Sequence, residues 1–69
     1  MTQKELSYVE DAIGHENTII EVLNDTKEKL QDEELVSFIE GDIQNHTNMK
    51  ENLMSLLEAK SNEWSNVNG

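Results

Sequence analysis

The 69-residue chain contains no cysteine and no proline, and it has only three glycines. Without cysteine it can form no disulfide, and redox chemistry at sulfur is excluded. The absence of proline and the scarcity of glycine favour long, uninterrupted helices. A chain this short forms at most one domain and has difficulty stabilising a core alone, so we expect metal binding or self-association to supply what disulfides do not.

Basic residues are also scarce: five lysines and arginines stand against 15 aspartates and glutamates, which gives a formal charge of −10. A nucleic-acid backbone requires a positive binding face, so we expect no nucleic-acid partner. The same charge disfavours anionic membrane surfaces, and no apolar run is long enough to span a bilayer. Because the N-terminal residues lack the apolar block of a signal peptide, an intracellular location is predicted.

Two helical patterns contain nearly all of the apolar residues. The first predicts a helix over about residues 3–30, which begins after the capping-box spacing of Thr2 and Glu5. Its apolar residues recur at steps of three and four in two adjacent series. The first series is Leu6, Val9, Ile13, Ile20, Leu23 and Leu30, with Glu16 and Lys27 in phase, and the second is Tyr8, Ala12, Ile19 and Val22, with His15 in phase.

The second pattern predicts a helix over about residues 33–60. Asp32 is placed to cap it, and Glu33 and Glu34 in its first turn favour the positive end of the helix dipole. Its apolar side contains Leu35, Phe38, Ile39, Ile43, Met49, Leu53, Leu56 and Leu57, with Val36 and Met54 widening the stripe. Residues 61–69 are predicted to form a polar, frayed tail.

The short turn near residue 32 predicts that the two helices lie antiparallel. The fold class is therefore all-α: an antiparallel helical hairpin within a single domain of residues 1–60. Each apolar stripe is too wide for one neighbouring helix to cover. We therefore expect two copies of the hairpin to pair as a homodimer, which forms a four-helix bundle.

A polar layer interrupts the apolar stripes at mid-length. In a hairpin that turns between Gln31 and Asp32, Glu16 faces His46, and Asp42 lies one helical turn from His46. Carboxylates and imidazoles on facing helices form the di-iron sites of helical bundles, so Glu16, Asp42 and His46 are the candidate metal ligands, for iron or zinc. The alternative is a structural ion pair between Glu16 and His46 that fixes the helix register.

Several short motifs resemble those of the short relatives of spore coat protein F, from spore-forming Firmicutes. They are the run from Gln3 to Asp11, Asp32-Glu33-Glu34-Leu35, Ile43-Gln44-Asn45-His46 and Asn52-Leu53, and together they cover roughly residues 3–57. The resemblance implies a ferritin-like bundle at half size and a link to sporulation, hence a cytoplasmic or spore-associated location. It also implies that Glu16 and His46 match the ferritin-like ligands. Ile43 departs from the pattern because it stands where the bridging glutamate of Glu-x-x-His is expected.

Three functions follow as hypotheses. The first is a non-catalytic, self-associating helical protein, a structural or assembly component related to the spore coat. The second is a metal-binding, ferritin-like dimer, and the third is an acidic regulatory module that binds a basic protein. We expect no enzymatic activity and no obligatory cofactor, because the serines lack a neighbouring base and no glycine-rich phosphate loop is present.

Overall fold

The computed structural model describes the backbone of residues 1–68 and the side chains of residues 1–61. Helix α1 spans Gln3–Lys29 and helix α2 spans Glu33–Asn68, and the two helices pack against each other. The described residues form no strand, so the predicted all-α hairpin is confirmed. Helix α2 continues beyond residue 60, its expected end, because neither proline nor glycine follows Gly41 within it. The predicted frayed tail covers residues 61–69, and all of these except Ser61 lie outside the residues whose side chains are described.

The predicted capping box starts α1. The Glu5 amide donates to the Thr2 hydroxyl at 3.0 Å, and the Thr2 amide donates to the Glu5 carboxylate at 2.8 Å. The backbone hydrogen bond from Thr2, and then the side-chain one, lower the pKa of Glu5 from its ordinary value of 4.5. Because the pKa of Glu5 is lowered in the folded state, its ionised carboxylate stabilises α1 at pH values above the ordinary pKa. This stabilisation is lost as the pH falls through the folded-state pKa.

The turn between the helices is short and well capped. Leu30 ends α1 with an extended backbone, and its amide donates to the Lys27 carbonyl at 3.2 Å. The Leu35 amide donates to the Asp32 carboxylate at 3.0 Å, which confirms Asp32 as the cap of α2. With so few residues between them, the two helices must run antiparallel.

Asp32→Ala is expected to lower the free energy of unfolding by about 1 kcal/mol, because it leaves an amide at the start of α2 without a partner. Asp25→Ala is the matched control, since the side-chain contact of Asp25 within the described residues is an exposed ion pair with Lys29. Pairs of that kind contribute roughly 0–1 kcal/mol. Urea denaturation at one fixed protein concentration measures both variants, and an equal loss in the two would contradict the capping role of Asp32.

The contact between the helices is a single seam of half-buried residues. They follow one another at alternating steps of three and four, which is the spacing of a coiled coil. In α1 the seam consists of Leu6, Val9, Ile13, Glu16, Ile20, Leu23 and Lys27, followed by the capping residue Leu30, and in α2 it consists of Val36, Ile39, Ile43, His46, Lys50, Leu53 and Leu57. The first apolar series predicted for α1 therefore lies where the helices meet. Of the apolar side predicted for α2, only Ile39, Ile43, Leu53 and Leu57 lie there, together with Val36, while Leu35, Phe38, Met49 and Leu56 are exposed.

A second set of apolar residues remains exposed on one side of the hairpin. In an antiparallel pair, the positions that flank the seam on the same edge of each helix share one side of the molecule. We call this side the front face and define it by its large apolar residues: Tyr8, Ile19, Val22, Leu35, Phe38, Met49 and Leu56. All of them are exposed, and the Phe38 residue is exposed to 67%.

The opposite side of the hairpin, the back face, is acidic. It contains Glu10, Glu21, Glu28, Glu33, Glu40, Glu51 and Glu58, and the outer edges of the helices next to it contain Asp11, Asp25 and Glu34; all ten are exposed. Like charges spread over a solvated face repel one another only weakly at physiological ionic strength. The hairpin is thus amphipathic as a whole, with an apolar front and an acidic back.

Gly14 lies inside α1 with no structural need for glycine. Its φ is not positive, and a Cβ added there would meet no atom within 4 Å. Gly14→Ala should therefore raise the free energy of unfolding by about 1 kcal/mol, the usual difference in helix propensity. Thermal unfolding followed by circular dichroism tests this, and a lowered melting temperature would show that the small size of Gly14 serves the fold.

Neither helix, within the part of the chain that the structure describes, has the length and apolar content needed to cross a membrane.

Candidate functional site

The polar layer predicted from the sequence forms at the middle of the seam. Glu16 Oε2 lies 2.5 Å from His46 Nδ1, and this contact joins residues that are 30 positions apart in the chain. The Glu16 side chain is 12% exposed and the His46 side chain 27%. The prediction that Glu16 faces His46 is therefore confirmed, because the turn and the alternating steps set the register between the helices.

The contact between the two atoms is a hydrogen bond that joins the two helices. A carboxylate can only accept a hydrogen bond, so in this contact the ring N–H at His46 Nδ1 is the donor and Glu16 Oε2 is the acceptor. The hydrogen bond leaves His46 Nε2 as the ring atom that is available to another partner. The pair can therefore link the two helices and still present one ring nitrogen to a ligand or to a second chain.

Asp42 and His15 are near this layer but do not join the pair. Asp42 is half-buried on the front-face side of His46, and His15 is exposed on the front-face side of α1. Among the described residues, no three histidine or acidic side chains converge where they could hold a metal ion. The structure thus brings Glu16 and His46 together without Asp42, and a metal site of Glu16, Asp42 and His46 stays a prediction.

The Glu16–His46 pair lies next to the front face. Ala12 and Ile19 flank Glu16 on the front side, and Asp42 and Met49 flank His46 in the same way. All of these residues are only half-buried or exposed in the hairpin. A second chain that covers the front face would therefore also enclose the Glu16–His46 pair.

The structure contains one feature that the sequence reasoning missed, a groove on the back face. It is open to solvent, has a volume of about 980 Å³ and lies between α1 and α2. Its lining includes Ile13, Gly14 and Met54, together with the glutamates Glu10, Glu51 and Glu58. Met54 was assigned to the wide apolar stripe of α2, but it is 50% exposed and lies on the back face. An apolar residue among polar neighbours was the signal that could have identified the groove.

Comparisons of the chain with protein-family models, with curated proteins and with solved structures find no match. The resemblance to coat F relatives therefore rests on the short motifs alone and remains a prediction.

Proposed function

We propose that this protein is a non-catalytic, self-associating helical module whose working form is a homodimer. Two hairpins would pack front face to front face and form a four-helix bundle. The observation that supports the proposal is the position of the exposed apolar residues. Seven large apolar side chains from both helices lie on one side of the hairpin, where a second copy would bury them together.

The surface area of the single hairpin supports the same conclusion. It exposes 5450 Å². A compact protein of 7.9 kDa is expected to expose roughly 4,400 Å², so the hairpin carries an excess of about 1,000 Å². A typical stable interface buries about 800 Å² on each partner. The excess is thus of the size that one dimer interface removes.

The shape of the hairpin explains this excess. Its extents are 54 × 16 × 12 Å, so it is only one helix thick in its thinnest direction. No residue among those whose side chains are described is fully buried. In a stable domain, the apolar side of each helix or sheet packs against a second layer of secondary structure. A second hairpin on the front face would supply the missing layer.

Sedimentation equilibrium of the full chain tests this proposal. The expected result is a species of twice the 7.9 kDa chain mass at micromolar concentration. A chain that is fully helical and monomeric over the same range would contradict it. The helical content of each sample must be recorded by circular dichroism, so that an unfolded monomer is not mistaken for a folded one.

A second candidate function is metal binding by the same dimer, and the Glu16–His46 contact favours it. The hydrogen bond to Glu16 uses Nδ1 of His46 and leaves Nε2 for another ligand. Asp42 lies one helical turn before His46, on the side that a second copy would cover. Two copies would bring two such sets into one interior, as ferritin-like sites require. Titration with ferrous iron under anaerobic conditions, or with zinc, should then raise the melting temperature of the protein. No bound metal and no change in melting temperature would remove this candidate.

We extend the first proposal to a structural or assembly role in the spore coat, for which the motif resemblance is the support. The protein should then be produced during sporulation and be found in the spore fraction. Constitutive production in vegetative cells would contradict this role without affecting the dimer.

A further inference from the structure

The groove on the back face has a composition that is unusual for an acidic surface. Ile13 and Leu57, two seam residues, line it together with the exposed Met54. Glu10, Glu51 and Glu58 stand at its edges, and no lysine or arginine is among the lining residues within positions 1–61. Among the described residues, none of these three carboxylates has a hydrogen-bond or ion-pair partner. The groove therefore combines an apolar floor with negative, unpaired edges.

Gly14 allows a partner to approach this groove closely. It lines the groove, nothing lies within 4 Å of where its Cβ would be, and its backbone conformation does not require glycine. A glycine in a helix exposes the backbone surface and leaves room for an approaching chain. Gly41 is equally open in α2 but does not line the groove. The two glycines therefore form a natural comparison.

We propose that the back-face groove binds a basic, amphipathic helix of another protein. The apolar side of that helix would lie on Ile13, Met54 and Leu57, in the manner of a helix in a groove. Lysines or arginines on its flanks would pair with Glu10, Glu51 and Glu58, which supply the charge complementarity. Because the groove and the front face lie on opposite sides, this site remains open in the proposed dimer and does not depend on it.

The ion pairs contribute only modestly to the binding affinity, so the apolar contact must provide most of it. Exposed ion pairs change an equilibrium about 2- to 5-fold each. Three of them together would change affinity on the order of tenfold, and more at low salt. A purely basic peptide without an apolar side should therefore bind weakly and lose its binding in salt.

The test uses the full-length chain and a fluorescent synthetic peptide of about 18 residues, which forms about five helical turns. Leucines three and four residues apart form one side of the peptide, and lysines flank them. A peptide of the same composition in scrambled order is the control for net charge. Fluorescence anisotropy at physiological salt should show saturable binding of the amphipathic peptide and much weaker binding of the scrambled one. Equal binding of the two peptides would overturn the proposal.

Two glycine variants test whether the peptide binds in the back-face groove. Gly14→Trp should place a bulky side chain in the groove and abolish binding, whereas Gly41→Trp should leave the affinity unchanged. Circular dichroism confirms that both variants remain helical. Unchanged peptide binding by Gly14→Trp would overturn the proposal. A change in the sedimentation mass of Gly14→Trp, with no peptide binding by the wild type, would assign the groove to a second copy and would equally overturn it.

A charge-matched pair of triple variants completes the design and covers the case in which the glycine variant fails to fold. Glu10→Gln, Glu51→Gln and Glu58→Gln together should weaken binding on the order of tenfold. Glu21→Gln, Glu28→Gln and Glu40→Gln remove the same charge from back-face positions outside the groove. They should have little effect at physiological salt. Equal loss in both triple variants would show that only the net charge of the protein attracts the peptide and would overturn the proposal.

Discussion

Met49→Glu is expected to raise the dissociation constant of the dimer at least about 100-fold. Met49 lies on the front face of α2 and is 50% exposed in the hairpin. In the dimer its side chain would be buried, and burial of a methionine contributes about 1.5–3 kcal/mol when complete. Each dimer loses this contribution twice, and each glutamate also resists burial without a partner. A total loss of about 3 kcal/mol or more is therefore expected.

Met54→Glu is the matched control for this variant. Met54 is in the same helix, has the same 50% exposure and lies on the back face. Its replacement by glutamate adds the same charge and removes the same side chain. Sedimentation equilibrium over a range of concentrations should show dissociation for Met49→Glu and nearly wild-type association for Met54→Glu. Similar dissociation constants for the two variants would contradict association through the front face.

Removal of one partner from the Glu16–His46 pair is expected to destabilise the protein, and removal of both is not. Glu16→Leu or His46→Leu alone should lower the free energy of unfolding by about 1–3 kcal/mol, because each leaves a half-buried polar group without its partner. His46→Leu should be the more costly, since it leaves a carboxylate that is only 12% exposed. The double variant places two leucines at a seam position where they can pack. It should regain wild-type stability or exceed it by about 1 kcal/mol or more.

The three variants and the wild type form a double-mutant cycle that measures the coupling between the two residues. Urea denaturation at one protein concentration supplies the four free energies of unfolding. Additive losses in the double variant would contradict a direct interaction and would leave the observed contact without energetic importance. The sedimentation mass of the double variant also shows whether the Glu16–His46 pair helps to fix the number of chains in the assembly.

Much of the hairpin was predictable from the sequence because its determinants are local. The spacing of Thr2 and Glu5 and the acidic turn at Asp32 mark the starts of the helices, and steps of three and four residues mark their apolar sides. The register followed from the turn and from the alternating steps, since two antiparallel helices joined by so few residues can pair in few ways. This is why the contact between Glu16 and His46 could be expected without a structure.

The features that could not be predicted from the sequence depend on how α1 packs against α2, and the spacing of residues within one helix does not show this. The sequence assigns Met49 to the apolar side of α2 and Met54 to its widened edge, and only the packing of α1 against α2 shows that the two residues lie on opposite faces. Gly14 has no recognisable role until the groove beside it is seen. In the proposed dimer a second chain would complete the environment of Asp42, because this residue lies at the edge that the hairpin leaves open.

The central claim, that a second copy covers the front face, is tested most directly by thiol protection. The chain has no cysteine, so Asn45→Cys and Asn48→Cys each introduce a single thiol. Both asparagines are exposed in α2, Asn45 on the side of the front face and Asn48 on the side of α2 that is turned away from α1. At high protein concentration, the thiol at position 45 should react with a maleimide much more slowly than the thiol at position 48, and dilution should remove the difference. Equal rates at every concentration, with the chain still helical, would contradict the claim.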